Sequence, residues 1–272
     1  MNRLLKDKFF IITSALFGGF TVMWLYIFFT GSSTHTTVTS IFGATYGAVA
    51  LVGALFGIVI AKRYGWFKSA LGRAILALSF GLLAQEFGQI AYTYYLYVAG
   101  IEIPYPSLGD VGYFGSVLLY IYGALQLAKA AGVRMVADSF LKKSVALIIP
   151  AAMLGLVYWL FLNGYDFAST GWLATLLTFG YPLGQAIYIS IALVTILLSR
   201  GALGGVMKSR VEMLLVALIA QFAADFTFLY QTKMGTWAAG GINDYMYLVA
   251  YFLMTIALIR MKLVFDQVKG AA

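Results

Sequence analysis

Residues 9–30 read FFIITSALFGGFTVMWLYIFFT, a run of 22 residues without a charged side chain. A helix of about 20 apolar residues is long enough to cross the hydrocarbon core of a bilayer, which is about 30 Å thick. The run is longer than the apolar part of a signal peptide, and no small-residue cleavage site follows it. It therefore predicts an uncleaved first membrane span.

The rest of the chain has the same apolar character. Of 272 residues, 62% are hydrophobic and 10% carry a charge, whereas soluble domains are about one-quarter charged. We predict an all-α polytopic membrane protein with eight transmembrane helices, in which residues 1–272 form a single membrane domain. The predicted spans are Phe9–Thr30, Val38–Ala61, Ala70–Ala99, Val111–Ala131, Val145–Gly164, Trp172–Ser199, Val211–Gln231 and Tyr245–Val264.

Basic residues collect at one set of span ends. All Lys and Arg residues except Lys233 fall at ends that share one side of the membrane. Because positively charged loops stay in the cytoplasm, this asymmetry predicts cytoplasmic termini and a chain integral to the cytoplasmic membrane. Topology also explains the formal charge of +8. We expect the lipid bilayer as a partner and no nucleic acid, because the basic residues form no aromatic-interleaved patch.

Cysteine is absent and histidine occurs once, as His35. This composition excludes disulfides, thiolate catalysis and thiolate-held iron–sulfur or haem groups, and one histidine cannot build a histidine metal site. The usual activators of a serine nucleophile are also missing. We therefore expect no metal, no cofactor and no catalytic residue, and we interpret His35 as a solvated loop residue.

The two halves of the chain share a pattern at a spacing of about 134 residues. The aligned landmarks are 84–85 with 220–221, Gln89 with Asp225, 109–114 with 243–248, and Tyr46 with Tyr181. They predict two four-span repeats, residues 1–135 and 140–270. Since each half holds an even number of spans, the repeats should be parallel and related by an axis along the membrane normal.

In this alignment Asp110 and Asp244 begin the fourth and eighth spans. A carboxylate at a helix start accepts hydrogen bonds from exposed backbone N–H groups and lies at the positive end of the helix dipole. We expect both residues to cap their helices. A binding role for the pair in a shared outer vestibule stays open.

Polar side chains also lie deep in the predicted spans. Glu86 follows Arg73 by 13 residues, or about 20 Å of helix, which places it near the bilayer centre. Because lipid penalises such groups, we expect Glu86 and Asp225 to face the bundle interior and to line one polar cavity at the repeat interface. The candidate ligand-binding residues are Glu86, Gln89, Tyr92, Tyr113, Tyr181, Gln185, Gln221 and Asp225.

Three interpretations of these residues stay open. The acids and amides hydrogen-bond across helices and hold the repeats together, or they form a ligand or ion site. In the third interpretation they act as general acid and base in an intramembrane enzyme.

The segment Ile103–Phe114 reads IPYPSLGDVGYF. It resembles a motif of the multi-span N-terminal sensor regions of bacterial diguanylate cyclases and histidine kinases, in which Pro-aromatic-Pro-Ser-Leu-Ala-Asp precedes an aromatic-rich helix. Residues 181–185 read YPLGQ and are similar to their Tyr-Pro-Leu-Gly-Asp, with Gln185 in place of the acid. The resemblance runs from about Glu86 to Ile259 and implies an eight-span sensor. No cyclase or kinase sequence follows Lys269.

We therefore expect a receptor-like or sensory membrane protein that binds an unknown small molecule or lipid in a central polar and aromatic cavity. It would signal through a separate cytoplasmic protein. The alternatives are a small transporter that uses intramembrane carboxylates and an intramembrane lipid-modifying hydrolase.

The predicted topology can be tested with single cysteines, because the chain has none of its own. Cysteines in the outer connections should react with a membrane-impermeant thiol reagent on intact cells; the positions are His35, Ser107, Phe167 and Ala238. Cysteines in the cytoplasmic connections should react only after permeabilisation; the positions are Lys68, Ser139 and Lys208. Two connections labelled on the wrong side would overturn the eight-span topology.

Overall fold

The computed structural model describes residues 4–31, 36–132, 140–165, 171–198 and 205–270, without the side chains of 141, 205–208 and 267–270. His35, Ser139 and Phe167 lie outside the described residues, as does the side chain of Lys208. Within these ranges the regular structure is entirely helical.

Nine α-helices lie in the described ranges. They are α1 (Lys8–Thr30), α2 (Thr37–Thr45), α3 (Ala48–Arg63), α4 (Ala70–Thr93), α5 (Gly109–Ala130), α6 (Phe140–Val157), α7 (Trp172–Leu198), α8 (Gly205–Met234) and α9 (Ile242–Gly270). Two of them end in a wider π-helical turn, α4 over Tyr94–Ala99 and α6 over Tyr158–Leu162. One span is built from α2 and α3, which are interrupted at Tyr46 and Gly47.

Eight helical segments of the described chain are long and apolar enough to cross a membrane. Each predicted span matches one of them, with ends that agree to within three residues. The prediction of eight apolar helices is confirmed by their length and composition. The interruption of the second span was not predicted, because the residues around it are as apolar as the rest of the helix.

The outermost helices present apolar side chains away from the bundle. Helix α1 buries only Thr13, Trp24 and Ile27, and on α6 large side chains such as Leu147 are exposed. Such surfaces fit a lipid solvent, in which an exposed leucine costs nothing. Helix α4, in contrast, is buried along most of its length and occupies the centre of the fold.

Small residues bring α4 and α5 into close contact. A Cβ atom at Gly112 would lie 2.6 Å from the backbone nitrogen of Gly88, and one at Gly88 would lie 2.7 Å from the ring of Tyr113. Both distances are too short for a side chain. Glycine at these two positions therefore lets the backbones approach and lets Tyr113 lie flat against α4.

The helices pair in the same way in the two halves. Helix α4 packs on α5, and α8 packs on α9. Across the halves, α3 packs on α9 while α7 packs on α5. The second span of each half thus contacts the fourth span of the other half.

Polar contacts join the helices at the end of the bundle opposite residues 101–108. Arg63 pairs with Asp266, and the ammonium of Lys262 lies 2.5 Å from the carboxylate of Asp7. The Tyr64 hydroxyl donates a hydrogen bond of 2.7 Å to the carbonyl of Met261. These contacts hold α1, α3 and α9 together at that end.

The glycine contact between α4 and α5 predicts a position-specific loss of stability. Gly112→Val should lower the free energy of unfolding by about 1–3 kcal/mol, the usual cost of overpacking a tight contact. Gly115→Val on the same helix is the matched control, because a Cβ atom there meets nothing within 4 Å. Unfolding in mixed micelles measures both, and equal stabilities of the two variants would refute the close contact.

Candidate functional site

A cavity of about 570 Å³ lies between helices of both halves. Its wall includes Tyr46 at the α2–α3 interruption and side chains of α4, α5, α7, α8 and α9, and it reaches the connections at Ile103 and Trp237. Its volume is in the range of small-molecule sites, about 300–1,000 Å³. The tyrosines on its wall are Tyr46, Tyr92, Tyr105, Tyr113, Tyr181, Tyr247 and Tyr251.

Gln89 of α4 connects three helices on one side of the cavity. Its Oε1 atom accepts hydrogen bonds from the hydroxyls of Tyr46 and Tyr113, each at 3.2 Å. Its Nε2 group donates to the carbonyl of Gly43 at 2.6 Å. In a continuous helix, the backbone N–H of residue 47 would donate to that carbonyl. The Gln89 side-chain amide replaces this backbone hydrogen bond where the second span is interrupted.

Gln85 lies one helical turn below Gln89 and is equally well partnered. It accepts a hydrogen bond of 3.1 Å from the Tyr251 hydroxyl and donates one of 2.8 Å to the Ser116 hydroxyl. Together with Tyr92, the two glutamines follow an i, i+4, i+7 spacing. This spacing forms one stripe of α4 that faces the cavity.

Asp225 of α8 is held by donors from three helices. Its carboxylate accepts hydrogen bonds from Tyr188 of α7 at 2.8 Å and from Gln221 of its own helix at 3.0 Å. Tyr247 of α9 donates a third. The residue is only 4% exposed, and each of these partners donates, which is the pattern that a carboxylate needs in a dry interior.

Asp110 and Asp244 hold the connections that precede their helices. Asp110 accepts hydrogen bonds from the backbone N–H of Ser107 at 2.6 Å and from the Tyr181 hydroxyl at 2.7 Å. Asp244 accepts one of 2.7 Å from the backbone N–H of Gly240. Both carboxylates line the cavity, so each ties a connection to the cavity wall.

Glu86 is absent from the cavity wall. It is half-buried, and its Oε2 atom occupies the space into which a Cβ atom on Gly47 would project. Among the described residues this oxygen has no hydrogen-bond partner. The structure therefore places Glu86 at the interruption of the second span and does not bring it into one cavity with Asp225.

The cavity wall includes every other predicted candidate except Gln221, which lies behind the wall as a donor to Asp225. Several wall residues were missed; they are Tyr46, Gln85, Asn243, Tyr247 and Tyr251. A helical signal was available for three of them, because residues 243, 247 and 251 recur every four positions and therefore share one face of α9. The predicted site was centred on the acidic residues Glu86 and Asp225 instead.

Four polar groups on the cavity wall have no protein partner in the described part of the chain. They are the Tyr92 hydroxyl, the Trp237 indole N–H, Gln185 Oε1 and Asn243 Oδ1. Gln185 is 3% exposed and Asn243 is 1% exposed. Since a buried polar atom without a hydrogen bond costs about 1–3 kcal/mol, a molecule in the cavity that forms hydrogen bonds with these atoms would be stabilised by them.

No known protein family, curated protein or solved structure matches the chain. The resemblance to sensor regions therefore stays a prediction. The chemistry of the site has to be inferred from its own geometry.

The mouth of the cavity lies at the connections after α4 and α8. Lys233 donates a hydrogen bond to the carbonyl of Leu160 there, and the hydroxyls of Tyr105 and Thr178 lie 3.2 Å apart. Burial raises the pKa of the Tyr105 phenol, and nearby Asp110 adds to this, while the contact with Thr178 opposes it. Tyr105 is therefore a neutral hydroxyl at physiological pH.

Three carboxylates and one ammonium line the cavity, namely Asp110, Asp225, Asp244 and Lys233. Within the described ranges, no group of three or more acidic or histidine side chains is arranged to hold a metal ion. The arrangement offers hydrogen bonds and negative charge to an organic molecule.

The hydrogen bonds of Asp225 predict a stability difference between two conservative variants. Tyr188→Phe removes a donor from a buried carboxylate and should lower the free energy of unfolding by about 0.5–2 kcal/mol. Tyr122→Phe is the matched control, since Tyr122 lies on an exposed face of α5 and should change stability by less than about 0.5 kcal/mol. Indistinguishable unfolding of the two variants in mixed micelles would show that the Tyr188 contact contributes nothing.

Proposed function

We propose that the chain is a receptor-like membrane protein that binds a small molecule or lipid in the cavity between its halves. One observation carries the proposal. The cavity wall contains buried polar atoms that no described protein group satisfies, namely Gln185 Oε1, Asn243 Oδ1, the Tyr92 hydroxyl and the Trp237 indole N–H.

Two glutamines of the core serve as a contrast. Gln85 and Gln89 use both ends of their amides within the protein. Asn243 donates to the carbonyl of Ala224 at 2.8 Å, but its oxygen has no partner. Helix association in lipid explains satisfied amides, and a ligand would supply the missing partners of the unsatisfied amide oxygens of Gln185 and Asn243, which are residues of the cavity wall.

We propose further that the cavity lies between two parallel repeats, residues 1–135 and 140–270. The equivalent helix pairing supports this, as do two equivalent pairs of hydrogen bonds. Tyr113 donates to Gln89 as Tyr247 donates to Asp225. In the same way Asp110 and Asp244 each accept from a backbone N–H that precedes the helix. A common ancestor of the halves accounts for each correspondence.

In the proposed orientation both termini are cytoplasmic and the ligand enters from the outer side, where the mouth lies. The ion pairs Arg63–Asp266 and Lys262–Asp7 then face the cytoplasm. A change in the packing of α9 at the cavity would alter these pairs, because α9 contributes to both places. We propose that a separate cytoplasmic protein reads this change, in keeping with the resemblance to sensor regions.

A small transporter is the second candidate, and Glu86 favours it. Transporters bind ions where a membrane helix is interrupted, and the Glu86 carboxylate lies at the interruption at Gly47 with one oxygen unpartnered. In proteoliposomes a proton-coupled transporter would change the pH of the lumen on addition of its substrate, and Glu86→Gln would abolish this change. A receptor would leave the wild type and the variant at the same background flux.

The ligand-binding proposal predicts that filling the cavity releases a bound molecule. Thr178 lines the cavity, so Thr178→Trp should reduce the amount of co-purifying ligand at least about tenfold, which corresponds to about 1.4 kcal/mol. Native mass spectrometry of the purified protein measures the bound mass. Thr45→Trp, at an exposed position of α2, is the matched control and should retain the molecule.

Two outcomes would count against the proposal. One is a wild-type protein that carries no molecule under gentle extraction and binds none from a lipid extract. The other is an equal amount of the same molecule on the Thr178→Trp and Thr45→Trp variants, which would place the binding outside the cavity.

A further inference from the structure

We infer that the inner end of the cavity binds a protonated amine, held by Asp225 and Gln185. This inference rests on the proposed ligand-binding function and specifies the chemistry of the ligand. The two side chains come from α8 and α7, and both line the cavity.

The position of Gln185 relative to Asp225 follows from one hydrogen bond. Tyr188 lies three residues after Gln185, on the same face of α7, and its hydroxyl donates to Asp225 at 2.8 Å. Gln185 therefore lies on the face of α7 that contacts Asp225. Gln185 Oε1 is unpartnered, so a ligand that reaches both side chains meets a neutral acceptor and a buried carboxylate.

The Asp225 carboxylate and the Gln185 amide oxygen suit the same kind of ligand. A carboxylate and an amide oxygen accept hydrogen bonds and donate none. An ammonium group donates three hydrogen bonds and carries the compensating charge. A neutral hydroxyl would satisfy Gln185 Oε1 but would leave the charge of the carboxylate uncompensated.

The composition of the whole cavity wall favours the same sign of charge. The wall has three acidic residues, Asp110, Asp225 and Asp244, and one basic residue, Lys233, whose ammonium already donates to the Leu160 carbonyl at the mouth. An anionic ligand would be repelled by the carboxylates in a medium that screens charge weakly.

Aromatic rings complete the binding environment. Tyr247 and Tyr251 of α9, Phe161 and Phe228 also line the cavity. The faces of aromatic rings attract cations, and this attraction is strongest where water is excluded. The wall thus suits an ammonium group with an apolar or aromatic body.

Two sources supply an ammonium of this kind. It belongs either to a soluble arylalkylamine or to the headgroup of a lipid such as phosphatidylethanolamine, and the chemistry at Asp225 is the same for both. A lipid would reach the cavity through the wall of the bundle, and a soluble amine would enter through the mouth.

The test compares two probes of nearly equal shape, 2-(2-naphthyl)ethylamine and 2-(2-naphthyl)ethanol. Binding to the protein in nanodiscs of pure phosphatidylglycerol is measured by equilibrium dialysis at pH 7. The amine should bind at least about tenfold more tightly than the alcohol, since hydrogen bonds between charged groups are stronger than those between neutral ones.

Variants assign this preference to the site. Asp225→Asn should weaken amine binding about tenfold or more and leave the alcohol nearly unchanged. Gln185→Met removes an unpartnered acceptor without breaking a protein hydrogen bond, so it should fold normally and reduce the preference for the amine even if the Asp225 variant does not fold. Glu212→Gln is the matched control, because it neutralises a carboxylate on the same helix as Asp225 that is outside the cavity wall, and it should change neither affinity.

Repeating the dialysis with phosphatidylethanolamine in the nanodisc separates the two sources. Weaker amine binding would identify the lipid headgroup as the ammonium, and unchanged binding would identify a soluble amine. Equal affinities of amine and alcohol, both lost in Thr178→Trp, would overturn the ammonium site while leaving the cavity as a ligand site. If neither probe binds and no molecule co-purifies with the wild type, the ammonium site and the proposed function both fail.

Discussion

In the interior of a membrane protein, a polar side chain has to find its hydrogen-bond partner within the protein, because neither lipid nor bulk water supplies one. Several amides and acids of the central helices meet that constraint. Gln89 uses its amide to join α4 to the interrupted second span and to α5. The Asp225 carboxylate accepts hydrogen bonds from side chains of α7, α8 and α9. The helices are therefore positioned by a small number of directional contacts as well as by the close approach of glycines.

Tyrosine has a special place in this arrangement. Its ring packs against neighbouring helices as any apolar side chain does. Its hydroxyl, at the far end of the ring, forms a hydrogen bond with a polar atom of another helix. Tyr46, Tyr113, Tyr188 and Tyr251 all donate to amides or carboxylates on other helices. Rings of this size also keep the helices apart around the centre of the bundle. Three of these tyrosines, Tyr46, Tyr113 and Tyr251, also line the cavity.

The sequence predicted the large features of the fold and part of the site. Eight spans were predictable because each is a separate apolar run bounded by charged or turn residues. The direction of each side chain was harder to predict, as the third span illustrates. Gln89 and Tyr92 were predicted and line the cavity, whereas Glu86 was selected for its charge and Gln85, which also lines the cavity, was not predicted.

The selection of Glu86 and the omission of Gln85 have a physical cause. Along a helix of uniformly apolar residues, no contrast between a polar and an apolar side indicates which face is inward. The interruption at Gly47 was hidden for a related reason, because it depends on Gln89, which is more than 40 residues away. A contact between residues so far apart in the chain cannot be predicted from the local sequence around either of them.

The central claim is that the cavity is completed by a bound molecule. An experimental density map of the protein in native-lipid nanodiscs, at a resolution that shows ordered water, tests it most directly. We predict a continuous non-protein density within hydrogen-bond distance of Gln185 Oε1 and the Asp225 carboxylate, with its body against Tyr247 and Tyr251. A cavity that holds only scattered water, or side chains of α7 and α8 packed together with Gln185 and Asn243 turned to protein partners, would contradict the account.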